Sequence, residues 1–358
     1  MTPFEHLCSW SNLLRAWHAA ARGKRGQPNV AAFEYRLAEN LLALQSELRS
    51  GCYRPGLYTS FLIHEPKRRL ISAAPFRDRV VHHALCQIIE PAFERSFVAD
   101  SFANRVGRGT HRALDRLQHF TRRFRFALPC DRRQFFPSVD HEILFDTLAR
   151  KVSDADVLRL CRLILDSGRE VLRGESDLVW FPGDDLFAAL RPRGLPIGNL
   201  TSQFWANCHL NPFDHFVKRE LRCRGYVRYV DDFVLFADDK RVLWEWQAAL
   251  VERLAWLRLT LHPGAHPQPV TEGIPFLGFT VYPHRRRLKP RKGFHFQRQL
   301  RVLRAQCEAG DIPLAAVTAS VRSWAEHLRH GNTVGLRKAI LGEIRLKLPR
   351  PGPPTAGA

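Results

Sequence analysis

Apolar side chains recur at three- and four-residue intervals through VAAFEYRLAENLLALQSELRSG, residues 30–51, a spacing that gathers them on one face of a helix ended by Gly51. Residues 1–50 therefore read as helical. YTSFLIHEPKRRLISAAPF predicts two short strands joined by the basic turn Pro66-Lys67-Arg68-Arg69. RDRVVHHALCQIIEPAF reads as an amphipathic helix ending near Pro91, and GTHRALDRLQHFTRR as another. FRFALPCD is a strand that delivers Asp131 at its tip. Helical segments follow to about Arg173, then a Gly/Pro/Asp-containing loop, 174–199, with a short hairpin expected in it. LTSQFWANCHLNPFDHFVKRELRCRG is helical, with Pro212 starting or kinking a second section. RYVDDFVLFADD reads as strand, tight turn and strand. VLWEWQAALVERLAWLRL is a helix, GIPFLGFTVYP is strand-like, and the remainder is mostly helical before a Pro/Gly tail expected to be disordered. Strands alternate with helices, so the class is α+β or α/β.

A chain of 358 residues holds two or three structural units. It has no run of about 20 uncharged apolar residues, as a membrane span needs, and its first residues lack the marks of a secretory signal. A cytoplasmic protein without a membrane partner is expected. The eight cysteines are scattered with no C-x-x-C pair, which argues against zinc ribbons and disulfides and for buried thiols. A formal charge of +20 points to a polyanionic partner, nucleic acid first. Residues 285–350 alone carry sixteen basic and four acidic side chains. A soluble, merely solvated surface is the plainer alternative.

Adjacent aspartates by themselves mean little, since Asp184-Asp185 and Asp238-Asp239 are also pairs and Asp is common in turns. Asp231-Asp232 differs in its setting, a two-residue hairpin tip between apolar strands. If the strand ending at Asp131 lies beside that hairpin, three carboxylates converge and repel unless a cation neutralises them. Carboxylate oxygens without His or Cys suit Mg²⁺, or Mn²⁺, better than Zn²⁺. Two such ions about 3.5–4 Å apart would activate a 3′-hydroxyl and stabilise leaving pyrophosphate. Basic surface and paired acids together indicate phosphoryl chemistry on nucleic acid.

YVDD at 229–232 resembles the signature of reverse transcriptases, and five further blocks resemble theirs in the same order. EPKRRLISAAPFRDRVVHHAL and SFANRVGRGTHRAL are similar to the two fingers motifs, and CDRRQFFPSVDHEIL to the first palm motif. RGLPIGNLTSQFWANCHLNPFDHF is similar to the nucleotide- and template-side helix, and FLGF at 276–279 to the primer grip. The resemblance covers roughly residues 60–290. It implies a right-hand polymerase with an antiparallel palm sheet. Residues 1–125 would form an N-terminal extension and fingers, 126–285 a palm with interleaved finger helices at about 150–195, 286–350 a short basic helical thumb, and 351–358 a tail. The activity implied is RNA-directed DNA synthesis from dNTPs with two Mg²⁺, on an RNA template and the resulting RNA–DNA duplex.

On this resemblance Asp131 and Asp231 ligate the metals with Asp232 beside them, and the Arg132 carbonyl is a further ligand. Lys67 and Arg69 hold the triphosphate, although an exposed charged hairpin would read the same. Phe136 sits under the sugar as a steric gate against a 2′-hydroxyl, or else belongs to the core. Ile197, Gly198 and Gln203 line the nucleotide site, while Arg105, Arg112, Leu277 and Gly278 contact template and primer. I-G-N-x-T-S-Q is similar to the enzymes of diversity-generating retroelements, which work with a small basic accessory protein. An aliphatic Ile197 cannot make the hydrogen bond an amide would, so low fidelity follows. Defence-associated and group II intron-like enzymes are the rival assignments, and an inactive RNA-binding scaffold is a rival of another class. After LHP a Lys is expected as general acid, yet the chain reads Gly264-Ala265-His266. His266 is a substitute acid or an ordinary loop residue.

Overall fold

The computed structural model describes residues 1–64, 68–132 and 134–342. Lys67, the last eight residues of the expected thumb and the tail 351–358 lie outside the described residues.

Four helices open the chain: α1 Pro3–Leu7, α2 Trp10–Ala21, α3 Pro28–Tyr35 and α4 Leu37–Arg49. The hairpin β1 Thr59–Ile63 and β2 Arg69–Ala73 follows, then α5 Phe76–Glu94 and α6 Thr110–Thr121. After β3 Phe126–Cys130 come α7 Phe135–Ser138, α8 His141–Ala149, α9 Ala155–Ser167 and α10 Leu200–His215. Next are β4 Gly225–Tyr229, β5 Asp232–Ala237, α11 Lys240–Trp256 and β6 Gln268–Pro269. The chain continues through β7 Ile274–Phe276, β8 Phe279–Val281 and β9 Arg286–Leu288 to α12 Pro290–Ala309, α13 Leu314–Arg329 and α14 Val334–Gly342.

The central antiparallel sheet has the order β4-β5-β3-β6. Its β3, β4 and β5 are apolar because both faces are covered. Leu128, Tyr226, Phe233 and Leu235 pack with the α2, α5 and α10 side chains in the larger core. Ala127, Val227, Val234 and Phe236 pack on α6 and the second sheet, β7-β8-β9. A third, small core holds α12–α14 together, where Phe296 stacks on Trp324 at 4.0 Å. This is the α+β palm with an antiparallel sheet and a helical thumb.

Three expectations about prolines and loops change. α5 runs past Pro91 to Glu94, because Ile89 and Phe93 are buried on either side of it and packing outweighs the lost backbone hydrogen bond. α10 likewise carries Pro212 inside and runs directly into a π turn at Phe216–Glu220. Among the described residues, 174–199 holds no hairpin, only a 3₁₀ turn at Leu186–Leu190 and one bridge, Asp140 to Arg193. No described helix is long and apolar enough to cross a membrane.

Burial pushes the imidazoles of His82 on α5 and His209 on α10 down to about 3 and about 4. Both are neutral in the fold and gain a proton near pH 6.5 only when it opens. Their stabilisation is therefore complete above about pH 6.5 and is lost as pH falls, at about 1.4 kcal/mol per unit for each. Thermal melts from pH 7.5 to 5 should show a midpoint that drops with acid, and a flat profile would contradict this burial.

Candidate active site

Pairing register assembles the acids. β3 and β5 set Cys130 opposite Phe233, so one step further along the ladder Asp131 comes beside Asp232. In the β4–β5 hairpin Tyr229 pairs with Asp232, which leaves Val230 and Asp231 as the two-residue tip. The tip is thus one residue earlier than the sequence led us to expect. Val230 takes the left-handed conformation the turn requires, with φ of +56°, and Asp232 becomes the first residue of β5. A β-branched residue there is strained by about 1–3 kcal/mol and must be held by its surroundings.

Asp131 is exposed, Asp231 and Asp232 half-buried. Asp131 and Asp232 line a cleft of about 360 Å³ together with His262, Leu277, Gly278 and Lys289. Burial raises the Asp231 carboxyl above its usual range; Asp131 pushes the same way, whereas the charges of Arg132 and Arg69 pull it back. Among the described residues no three His, Cys, Asp or Glu side chains form a cluster able to hold a metal ion alone. Of the three acids expected from the sequence, Asp131 and Asp232 line the cleft and Asp231 stands on the adjoining tip, close enough for Asp131 to act on its carboxyl. Such a set fits Mg²⁺, which takes one or two carboxylates and completes its shell with water and phosphate oxygens.

The tip is held from beneath by two buried arginines. Arg228 donates from Nε and Nη2 to both Asp214 oxygens at 2.7 and 2.6 Å, and from Nη1 to Asn207 and to the Val230 carbonyl at 2.9 and 3.0 Å. Tyr226 donates to the same carboxylate at 2.6 Å. Arg228, Asp214 and Tyr226 are all fully buried. Arg132 lies among the rings of Phe135, Phe213 and Phe233, 5.5, 5.0 and 4.7 Å from their centres. Its Nη1 sits 3.4 Å from the carbonyls of both Val230 and Asp231. Burial lowers this guanidinium to about 10, so it stays charged at neutral pH.

Across the cleft, Arg69 is exposed at the start of β2. β1 and β2 bury little of themselves, and backbone bonds fasten them to the segment before α10. Ser72 N–H donates to the Ile197 carbonyl at 2.8 Å; Asn199 accepts from Ala74 N–H at 3.0 Å and donates to the Ser72 carbonyl at 2.8 Å. Asn199 is therefore the clamp between fingers and α10, a role its place in the motif did not disclose. Gly198 has φ of +120°, and a Cβ there would meet Ile71 at 3.1 Å, so this junction admits no larger residue without strain. Ile197 is half-buried, and Gln203 is exposed on α10. Leu195 N–H donates to the Phe136 carbonyl at 2.8 Å, which puts half-buried Phe136 on backbone next to that of Ile197.

Leu277 and Gly278 form the β7–β8 turn, both at positive φ, on the wall of the cleft. Arg112 is exposed on α6. Arg105 is corrected: its side chain is 4% exposed, bonded to Glu94 and to the carbonyls of Val98 and Ser101, so nothing remains for a template. His266 fits the second of its two readings, an ordinary loop residue. It is exposed, bonds the Gly264 carbonyl, and lies outside the cleft lining, whereas His262 is on it. The His262 N–H donates to the Asp131 carbonyl at 2.9 Å, and its Nδ1 accepts from Gly264 N–H at 3.1 Å. The bridge between Arg132 and Leu261 creates this neighbourhood, and no sequence spacing announces it. Lys289, lost in the basic run of the sequence, is the second unforeseen residue on the wall.

Protein YkfC of Escherichia coli (strain K12) is 26% identical to this chain over 303 residues, 72% of this chain and 75% of its own length. Nuclear intron maturase 2, mitochondrial, of Arabidopsis thaliana is 28% identical over 143 residues, 36% of this chain and 20% of its own. A telomerase structure from Candida albicans, with a fragment of telomeric RNA, covers 71% of this chain and 50% of its own at 12% identity and a TM-score of 0.47. The chain thus spans a fifth of that maturase and half of that telomerase. Residues 63–281, more than half of the sequence and all the acids above, match the family described as reverse transcriptase (RNA-dependent DNA polymerase), and the chain belongs to that family.

Proposed function

We propose that the chain copies RNA into DNA as the error-prone polymerase of a diversity-generating retroelement. The observation that carries the polymerase part is the β3–β5 register, which brings Asp131 and Asp232 from a hundred residues apart to one cleft wall. Divalent ions bound there, by Asp131, Asp231 and the Arg132 carbonyl with Asp232 adjacent, would neutralise the triphosphate and lower the pKa of the attacking 3′-hydroxyl. Arg69, with Lys67, binds the triphosphate by charge. Phe136 sets the floor against a 2′-hydroxyl, with Gln203 and the close-packed Gly198 beside it. Arg112, Leu277 and Gly278 guide the duplex, and the basic helices α12–α14 follow its backbone without reading sequence. Primer extension on an RNA template with dNTPs and Mg²⁺ tests this. Incorporation by the natural chain and none by Asp231→Ala is expected; no incorporation on any template, with or without a small basic accessory protein, favours the RNA-binding scaffold.

The retroelement part rests on Ile197-Gly198-Asn199-Leu200-Thr201-Ser202-Gln203. With no amide at 197, one positioning hydrogen bond near the nucleotide is missing, worth about 1–3 kcal/mol of discrimination. Ile197→Gln should lower the misincorporation frequency in sequenced cDNA roughly tenfold or more, and an unchanged frequency sinks the fidelity argument. The partial similarity to intron maturases favours a second reading, a group II intron-like enzyme. Errors spread evenly over the four template bases, instead of concentrated at adenines, would favour it.

A further inference from the structure

Two arginines lie under the acidic tip, and among the described residues Arg228 has a carboxylate at ion-pair distance while Arg132 has none. Every donor group of Arg228 is engaged, with Asp214 as its counter-ion. Arg132 is 3% exposed, yet its Nε and Nη2 have no hydrogen-bond partner among the described residues. Its surroundings are ring faces from α7, α10 and β5, which favour a cation without cancelling it. Among the described residues its hydrogen bonds go to the tip itself, through the carbonyls of Val230 and Asp231. Leaving a charged donor buried and half-used is costly, and packing apolar groups in its place is often neutral or stabilising. The fold thus keeps a half-used buried cation directly behind the carboxylates.

We infer that the Arg132 side chain is a positioning residue, a built-in counter-charge that fixes the strained Val230–Asp231 tip and offsets part of the acids' repulsion before any metal or nucleotide arrives. The inference rests on the reading of those acids as metal ligands. It assigns a role to the side chain, distinct from that of its carbonyl. A permanent positive charge close to Asp231 weakens the first cation's binding, and in exchange the carboxylates are already arranged.

Two variants separate charge from shape. Arg132→Met keeps length and removes charge; Arg132→Lys keeps charge and loses the planar fork. The metal probe is Mn²⁺, titrated by electron paramagnetic resonance into the full chain without nucleic acid, alongside thermal unfolding and primer extension. Arg132→Met should melt no lower than the natural chain, bind Mn²⁺ about tenfold more tightly, and lose at least tenfold in kcat with little change in the KM for dNTP. Arg132→Lys should keep the natural Mn²⁺ affinity within twofold and show an intermediate kcat. If Arg132→Met leaves Mn²⁺ affinity unchanged, or loses activity only in step with a lowered melting point, the residue is merely structural and the inference falls. Should Arg132→Met fail to fold, Arg132→Lys decides, since a shifted Mn²⁺ affinity there also overturns it. Failure of the polymerase reading looks different: the natural chain then incorporates nothing, whatever the Mn²⁺ titrations show.

Discussion

Replacing Asp231 with alanine is expected to cut primer extension by about 10³-fold or more while leaving the fold intact. A bound metal contributes several kcal/mol of charge stabilisation in the transition state, and each 1.36 kcal/mol is about tenfold in rate. The opposite effect on stability follows from the half-buried position. Burial raises the Asp231 carboxyl, so at neutral pH its ionised form is less favourable in the fold than in water. Removing it should leave the melting temperature unchanged or slightly higher, and the Arg228 and Arg132 bonds to the tip carbonyls do not involve its side chain. Asp131→Ala should behave alike in activity. A variant that retains more than a tenth of the natural rate would remove Asp231 from the chemistry, and a large fall in melting temperature would make its role structural.

The largest effect on stability is expected one layer below. Asp214→Ala strips Arg228 of its counter-ion in a site with no exposure at all, and Tyr226 loses its acceptor. Such a change costs about 3–5 kcal/mol because a buried charge is left unpaired. Equilibrium denaturant unfolding measures it. The double replacement Asp214→Leu with Arg228→Met removes both charges and should recover most of that loss. Activity should not return with stability, because the Val230 carbonyl has then lost its 3.0 Å donor. Full rescue of both would show that the pair supports the fold alone, and a cost under about 1 kcal/mol for Asp214→Ala would refute the network.

Much of this site was legible before any coordinates, and the reason is local. A strand that ends in an acid and a hairpin with acids near its turn each declare themselves within a dozen positions, while Gly198 and Gly278 came only with the family resemblance. The helices up to residue 50 and the β1–β2 hairpin were readable in the same way, whereas GIPFLGFTVYP read as one strand and is two, β7 and β8, with Leu277 and Gly278 turning between them. What escaped depends on partners far apart in sequence. The turn tip moved by one residue because strand register, and not the order of letters, decides which residue adopts positive φ. Arg105 looked like a template contact because nothing nearby in sequence showed that Glu94 and two carbonyls consume it. Arg228 reads as one more polar position on a strand until Asp214, fourteen residues earlier on α10, is brought against it. His262 and Lys289 reach the cleft only through pairing at Leu261 and Gly278.

Seven of the eight thiols are buried, and burial raises those of Cys8, Cys86, Cys130, Cys161, Cys208 and Cys223 far enough to suppress the thiolate. Cys52 alone is exposed, seven residues before β1. A maleimide dye added to the unmodified chain should therefore attach at one place, at the root of the fingers hairpin. No cysteine has to be removed first, so the natural protein already carries the handle for watching, by fluorescence, whether that hairpin swings when a nucleotide binds.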